Sequence, residues 1–271
     1  MYAGGRPLPT SRSRSEIAHN AKISLYPDGR HRLITCTKDI FLPPGWEHFE
    51  DKEKVPKPQT KGNEVRDDNV RRAKQKVQDI SRLNDFSHFV TWTLDKGVID
   101  RYDQSEVSKR LKKFLNNMAQ RRGLKYLVIP EYHKDGAIHM HGLISGDFDF
   151  VESGKFTKNG QTIYNMPQWK WGFSTAIQLD GDTARISNYI TKYISKDFRK
   201  IFGNFYYAGG HGLERTPEQL LIDVDYLEVE SPEYSHYGKG YKYAELGGNA
   251  ERNSQMIMDI LGGLQSELVV E

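Results

Sequence analysis

Residues 137–145 read Ala-Ile-His-Met-His-Gly-Leu-Ile-Ser, a short apolar run that carries two histidines two positions apart. A run of this length after a turn signal predicts a β-strand. Alternate side chains of a strand share a face, so His139 and His141 point the same way. Ile138 and Met140 then point the other way, into a core. By this arrangement a strand presents two imidazoles to one metal ion.

The turn before this strand decides which residue of the preceding strand faces the histidines. Lys134-Asp135-Gly136 carries the turn signal. A three-residue loop with its glycine in the left-handed conformation places Glu131 opposite His139, on the histidine face. A two-residue Asp-Gly loop pairs Glu131 with Met140 instead and sends the carboxylate to the wrong face. The register is therefore a testable part of the metal-site hypothesis, with His133 as the reserve ligand.

The three candidate metal ligands are His139, His141 and Glu131. Two imidazoles and one carboxylate suit a divalent ion that retains open positions for substrate oxygens. Mg²⁺ or Mn²⁺ is the expected ion, while the softness of the ligands also admits Zn²⁺. Its task would be to polarise a scissile phosphate and to stabilise charge as the bond breaks.

A second pattern lies further along the chain, where residues 188–196 read Asn-Tyr-Ile-Thr-Lys-Tyr-Ile-Ser-Lys. In a helix, residues four apart share a face, which brings Tyr189 beside Tyr193. Lys192 and Lys196 lie side by side for the same reason. Each phenol therefore has a cation one turn away, and an isoleucine stripe occupies the other face.

These residue types favour a particular chemistry. A tyrosine phenol has a pKa of about 10, so it is a poor nucleophile at neutral pH unless a metal or a base assists it. Its attack on a phosphodiester gives a phosphotyrosine ester that keeps the energy of the bond, so the strand can later be resealed without ATP. Lysines beside the phenols would hold a phosphate or stabilise a phenolate. A metal, a nucleophile and a phosphate-binding cation are the parts of a phosphodiester transesterification.

The remaining periodicities predict an α+β fold. Helices are predicted over residues 68–83, 104–121 and 182–198, and strands over Phe86–Leu94, Tyr126–Tyr132, Ile138–Ser145 and Phe173–Leu179. The order βαββ(β)βα indicates a central antiparallel sheet with helices packed on one side of it. Residues 205–211 are expected to add an edge strand or a loop near the site.

Three segments are expected along the chain of 271 residues. Residues 1–65 are predicted to hold an N-terminal arm, a small hairpin over residues 22–37 and a charged linker. Residues 66–215 would form a single catalytic domain. Residues 216–271 would form a C-terminal extension of uncertain structure, with a terminal helix over residues 249–265.

Composition restricts the function only loosely. The formal net charge of +3 is too small to identify a nucleic-acid-binding protein, although 28% of the residues are charged. One cysteine, Cys36, excludes an internal disulfide framework, and the apolar stretches are too short for a membrane span, which together favour the cytoplasm. The sequence contains no P-loop pattern, so any duplex unwinding must come from a partner.

Three segments resemble, in order and spacing, motifs I, II and III of rolling-circle replication initiators, which are HUH endonucleases. The segments are Phe89–Leu94, Pro130–Gly142 and Asn188–Lys196. The similarity covers residues 66–200. The double tyrosine is most similar to the two-tyrosine Rep proteins of small single-stranded DNA phages and of related plasmids or prophages.

The resemblance implies sequence-specific nicking of single-stranded or hairpin DNA at a replication origin, with a 5′-phosphotyrosine link and a free 3′-hydroxyl that primes synthesis. It implies a ferredoxin-like or RRM-like fold, and a host helicase and polymerase as partners in a prokaryotic cytoplasm. The family's roles carry over to the metal ligands Glu131, His139 and His141, to the nucleophiles Tyr189 and Tyr193, used in turn, and to an assisting lysine, Lys192 or Lys196. Thr91 and Thr93 fall in motif I, on one strand face.

Other interpretations stay open on the sequence. An HUH relaxase or transposase would use the same chemistry on a transfer origin or an element end, although relaxases often cluster three histidines. A DNA-binding regulator would keep the fold without cleavage, and a metal-dependent hydrolase would use water and leave the tyrosines structural. Four aromatic residues are further candidates for stacking on unpaired bases, namely Trp169, Trp171, Tyr206 and Tyr207. The sequence does not predict an oligomeric state.

Overall fold

The computed structural model describes residues 17–45, 67–195, 200–236 and 239–246. It divides the chain into two compact units. The larger unit spans residues 58–216, and the smaller unit combines the two flanks, residues 1–57 and 217–271. Most of the predicted N-terminal arm and charged linker, the terminal helix predicted over residues 249–265 and Lys196 lie outside the described residues.

In chain order, the elements are β1 (Ala21–Ser24), β2 (His31–Cys36), α1 (Asp67–Leu83), β3 (His88–Leu94), α2 (Gln104–Arg122), β4 (Lys125–Tyr132), β5 (Ile138–Ser145), β6 (Val151–Phe156), β7 (Thr162–Asn165), β8 (Gly172–Gln178), α3 (Thr183–Ser195), β9 (Tyr207–Gly209), β10 (Gln219–Ile222), β11 (Glu233–His236) and β12 (Lys239–Leu246). The helices and strands predicted between residues 68 and 195 are all present, with ends shifted by up to two residues where the chain is described. Within the described ranges, no helix is both long and apolar enough to span a lipid bilayer.

The larger unit is built on a seven-stranded antiparallel sheet in the order β6-β7-β8-β3-β5-β4-β9. β3 and β5 pair in the middle of the sheet, with β8 and β4 on either side of them. The predicted α+β class, a central antiparallel sheet with helices packed on it, is confirmed. β9 is the edge strand expected within residues 205–211. The hairpin of β6 and β7 was not predicted.

Helices pack on both faces of this sheet, so the prediction of helices on one side is wrong. One face carries Trp92 and Met140, which pack against Leu111 and Phe114 of α2. The other face buries its side chains against α1 and α3. The reason is that the middle strands are apolar on both faces, as in the buried run Leu127–Ile129 of β4.

Helix α2 begins and ends at residues that satisfy its free backbone groups. The carboxylate of Asp103 accepts hydrogen bonds from the backbone N–H groups of Ser105 and Glu106, at 2.8 and 3.1 Å. Gly123 follows the last turn with φ of 60°, and its N–H caps the carbonyl of Met118. These two caps fix the length of the helix that covers the face opposite the candidate site.

Helix α3 presents two different faces. Ile186, Ile190 and Ile194 recur every four residues and are buried against Leu143 of β5 and against α1. Full burial of an apolar side chain of this size contributes about 1.5–3 kcal/mol to stability. This stripe therefore fixes the rotation of the helix and leaves Tyr189 exposed.

The smaller unit joins the two flanks of the chain in one five-stranded sheet, with the order β10-β1-β2-β12-β11. β1 and β2 form the hairpin predicted over residues 22–37, and Gly29 in its turn has φ of 71°. Strands from the other end of the sequence pair with both of them. A separate core lies on one face of this sheet, with Ile23, Leu33 and Leu246 among its buried residues.

Candidate active site

The loop between β4 and β5 sets the register that the site depends on. The N–H of His133 donates to the carbonyl of Ala137 at 2.7 Å, so that residues 134–136 form a three-residue loop. Gly136 has φ of 84°, the left-handed conformation that this loop requires. Glu131 lies directly opposite His139 in the resulting ladder. The three-residue alternative of the sequence analysis is therefore the one observed.

The three predicted ligands lie on one face of the sheet. The Oε2 atom of Glu131 lies 2.8 Å from Nε2 of His141, and their side chains are only 11% and 13% exposed. The ring of His139 stacks on His133 instead, with 4.8 Å between the centroids. Burial and, secondarily, the neighbouring His133 lower the pKa of His139. The neutral imidazole, which is the form that binds metals, is therefore favoured at this position.

Two threonines of β3 orient the histidine rings from the neighbouring strand. Oγ1 of Thr91 lies 3.2 Å from Nδ1 of His141, and Oγ1 of Thr93 lies 3.4 Å from Nδ1 of His139. Each threonine stands directly opposite its histidine in the β3 and β5 ladder. Because Nδ1 is engaged in both rings, Nε2 is the nitrogen available to a ligand or a metal.

The donor set has the composition of a divalent metal site. Two imidazoles and a carboxylate share one face, and the residues that line one cavity include all three of them. Among the described residues, no group of three His, Cys, Asp or Glu side chains is already arranged around a common point for an ion. The direct contact between Glu131 and His141 is one reason for this. The residues fit the ion in kind, and their side-chain arrangement is that of a hydrogen-bonded pair.

Tyr193 lies against this donor set. Its ring stacks on His141 with 3.8 Å between the centroids, and its hydroxyl donates to the hydroxyl of Tyr189 at 3.0 Å. Burial, and next the hydrogen bond with Tyr189, raise the pKa of Tyr193 well above its usual value. The phenol is therefore protonated at neutral pH and needs assistance to act as a nucleophile.

Tyr189 stands one helical turn away, in different surroundings. It is 45% exposed, and its ring packs edge-on against Phe89. The ammonium group of Lys192 lies over the Tyr189 ring, 5.5 Å from the centroid. The predicted pairing of a phenol with a cation is therefore observed for Tyr189 and Lys192.

Two adjoining depressions separate the tyrosines. A cavity of about 1080 Å³ is lined by the three candidate ligands and by Tyr193, with His133 and Lys134 at its rim. A smaller cleft of about 240 Å³ is lined by Tyr189, Phe89 and Arg185. Lys134 is a cation at the site that the sequence analysis did not select, because it was read only as part of the turn.

The aromatic residues proposed for base stacking are mostly structural. Trp169 is 5% exposed in the core on the α2 face, and its indole N–H donates to the carbonyl of Thr93 at 3.2 Å. Trp171 packs against that core, as does Tyr207, and Tyr206 packs against the core of the other face. The most exposed aromatic side chain in the described part of the chain is Phe173, which the sequence analysis did not select.

The comparisons with known proteins point to one family. Residues 87–198, less than half of the chain, match a family model of replication-associated proteins, the family that includes ORF2. No curated protein and no solved structure matches the chain. The matching segment includes β3, β4, β5 and α3, so it contains every described residue of the candidate site. This similarity is consistent with a Rep-type protein of rolling-circle replication.

Proposed function

We propose that the protein starts rolling-circle replication by nicking and rejoining one DNA strand at an origin. The observation that supports this most is the placement of Tyr193 in one cavity with Glu131, His139 and His141. A potential nucleophile and a potential metal site thus face the same space, within the segment similar to replication-associated proteins. Single-stranded or hairpin DNA is the expected substrate, because the site needs access to one backbone.

Glu131, His139 and His141 would hold the divalent ion, Mg²⁺ or Mn²⁺. When bound, such an ion supplies polarisation of the scissile phosphate and stabilises its developing charge. Thr91 and Thr93 keep Nε2 of each histidine ring available, through their contacts with Nδ1. The side chain of Glu131 must release its contact with His141 to act as a ligand.

Tyr193 is the proposed first nucleophile because it lies against the candidate ligands, whereas Tyr189 lines the neighbouring cleft. The phenol oxygen forms a bond to phosphorus and the bond from phosphorus to the 3′ oxygen breaks. The phenol proton leaves to solvent, and the 3′ oxygen takes up a proton to become the priming hydroxyl. Tyr189 would carry out the second transesterification, which ends a replication round.

Cations would offset the charge of the phosphate during these steps. Lys134 lines the cavity of the candidate ligands, and Lys192 lies over the ring of Tyr189. Lys196 belongs to the same proposal from the sequence pattern alone. Hydrogen bonds between a lysine and a phosphate are stronger than those between neutral groups.

The test is covalent trapping. The full chain is incubated with Mn²⁺ and labelled single-stranded oligonucleotides that cover its native replicon, and adducts are resolved on denaturing gels and mapped by mass spectrometry. We expect an adduct on Tyr193 that His139→Ala abolishes. Tyr189→Phe should leave this first adduct in place, whereas Tyr193→Phe should remove it.

Other outcomes support the competing functions. An adduct on Tyr189 that survives in Tyr193→Phe reverses the assignment of the first nucleophile. Cleavage without an adduct indicates a hydrolase that uses water. Binding without cleavage of any replicon-derived sequence indicates a regulator, and cleavage restricted to a transfer origin or an element end indicates a relaxase or a transposase.

A further inference from the structure

An aromatic side chain stands exposed on the sheet face that carries the candidate site. Phe173, in β8, is 70% exposed. It pairs directly with Thr93 of β3, so both side chains lie on the same face of the sheet. Thr93 in turn contacts Nδ1 of His139 at 3.4 Å. Phe173 is therefore a lateral neighbour of the candidate metal ligands.

The backbone that carries Phe173 is held closely against β3. Gly172 has φ of 148°, and a Cβ atom at this position would lie 2.3 Å from the carbonyl oxygen of Thr93. The carbonyl of Trp171 accepts a hydrogen bond from the N–H of Asp95 at 2.9 Å. The exposed ring thus stands on a fixed strand end beside the site.

The surroundings of the ring favour one kind of occupant. Its neighbours on this face are polar, namely Thr93 and the exposed Thr175. An isolated aromatic ring among hydroxyl groups lacks the contiguous apolar patch of a protein interface. A flat ring with an exposed face suits an unpaired nucleobase, because every base has a π-face and stacking tolerates any sequence.

We propose that Phe173 stacks on an unpaired base of the DNA strand, next to the phosphate that is cut. The proposal rests on the function proposed above, since it identifies the substrate as single-stranded where it crosses β8. Stacking would hold the neighbouring phosphate over the cavity lined by Glu131, His139 and Tyr193. Phe173 is a substrate-positioning residue in this scheme.

The test measures binding without cleavage. The full chain is titrated in EDTA into fluorescently labelled single-stranded oligonucleotides from the native replicon, and the dissociation constant is read from anisotropy. A parallel set of oligonucleotides carries one abasic position, moved along the strand. We expect Phe173→Ala to weaken binding roughly 5-fold to 150-fold. Phe173→Trp should preserve binding, because it keeps an aromatic face, and Phe173→Leu should not.

The abasic series separates stacking from general damage to the protein. In the wild-type chain, one abasic position should weaken binding by a factor similar to that of Phe173→Ala. In Phe173→Ala the same abasic position should have no further effect. The matched control is Phe156→Ala. Phe156 is 66% exposed and pairs with Thr162, on the opposite face of the sheet, so its removal should change neither value.

The two proposals can fail separately. If Phe173→Ala binds as the wild type does and keeps its abasic profile, or if the full chain binds no single-stranded DNA, the stacking proposal is overturned. An adduct on Tyr193 together with that result would leave the nicking proposal standing. A Phe173-dependent abasic effect without any adduct would support stacking and count against nicking.

Discussion

Each histidine of the candidate site is matched at the scale of single residues by a threonine across the ladder. Thr91 contacts His141, and Thr93 contacts His139, through Nδ1 in both rings. Partners of this kind orient metal-binding rings and fix their tautomers. The histidines therefore have defined orientations in the structure before any ion is considered.

We expect Thr91→Val to lower the affinity for Mn²⁺ about 10-fold to 100-fold, the usual cost of losing such a partner. Valine keeps the shape of the side chain and removes only the oxygen that contacts Nδ1 of His141. Isothermal titration calorimetry of the full chain measures the affinity. Thr91→Ser, which keeps the hydroxyl, should stay near the wild-type value.

The control for this prediction is Thr175→Val. Thr175 pairs with Thr91 from the other side, but its side chain is exposed and has no contact with a histidine in the described residues. An equal loss of Mn²⁺ affinity in Thr175→Val would show that β-strand perturbation, not the bond to His141, is responsible.

Part of the site could be predicted from single residues. Strand alternation gave the shared face of His139 and His141, and the three-residue loop gave Glu131. The orienting role of Thr91 was not predictable, because threonine is common in strands for its β-branched shape. The position of Phe173 was hidden for a similar reason, since an aromatic residue in a strand is usually buried.

At the scale of elements, the start of β8 is fixed by a close backbone approach. A side chain at Gly172 would meet the carbonyl oxygen of Thr93 at 2.3 Å, and φ of 148° is strained for any other residue. We expect Gly172→Ala to destabilise the larger unit by about 2 kcal/mol or more, since strain and a backbone clash add. Differential scanning calorimetry checks this value.

Gly160→Ala is the comparison for that substitution. Gly160 has φ of 80°, but no atom lies within 4 Å of the Cβ that alanine would add. Only the left-handed backbone then opposes the change, at a cost of about 1–2 kcal/mol. A smaller effect for Gly172→Ala than for Gly160→Ala would contradict the close packing of β8 on β3.

Helix α2 offers a second test at this scale, at its N-terminal cap. Replacing Asp103 by alanine removes the acceptor for the N–H groups of Ser105 and Glu106. We expect Asp103→Ala to cost about 1 kcal/mol in urea unfolding, and Asp103→Asn to cost little. Equal stability of all three chains would mean that this cap is not formed in solution.

The helices and strands of the larger unit were predictable because their periodicities are local. The caps of α2 and the isoleucine stripe of α3 are visible within a few residues of sequence. The side of the sheet that each helix covers was not visible. It depends on both faces of β4 being apolar, and a continuous run such as Leu127–Ile129 does not indicate which helix packs on which face.

At the scale of the whole molecule, the smaller unit combines segments far apart in the sequence. β1 and β2 come from one flank, and β10, β11 and β12 come from the other. Local periodicity carries no information on such pairing, so the sequence predicted the hairpin but not its partner strands. The cores of the larger unit contain only residues of that unit.

We therefore expect a chain that ends at residue 216 to lose the smaller unit alone. An isolated two-stranded hairpin is marginally stable in water, so β1 and β2 should become sensitive to protease. The melting temperature of the larger unit should move by less than about 4 °C, equivalent to roughly 1 kcal/mol. Limited proteolysis with mass spectrometry and calorimetry measure both effects, and loss of the larger unit's transition would contradict the division.

Because β1 and β2 are paired with β10 and β12, the chain leaves the small sheet and later returns to it. A single cut in the backbone of the larger unit would therefore not release either end of the molecule. The two fragments would stay associated through the hydrogen bonds of this sheet. The protein is thus a natural candidate for a split reporter, in which two separately made halves reassemble through their flanking strands.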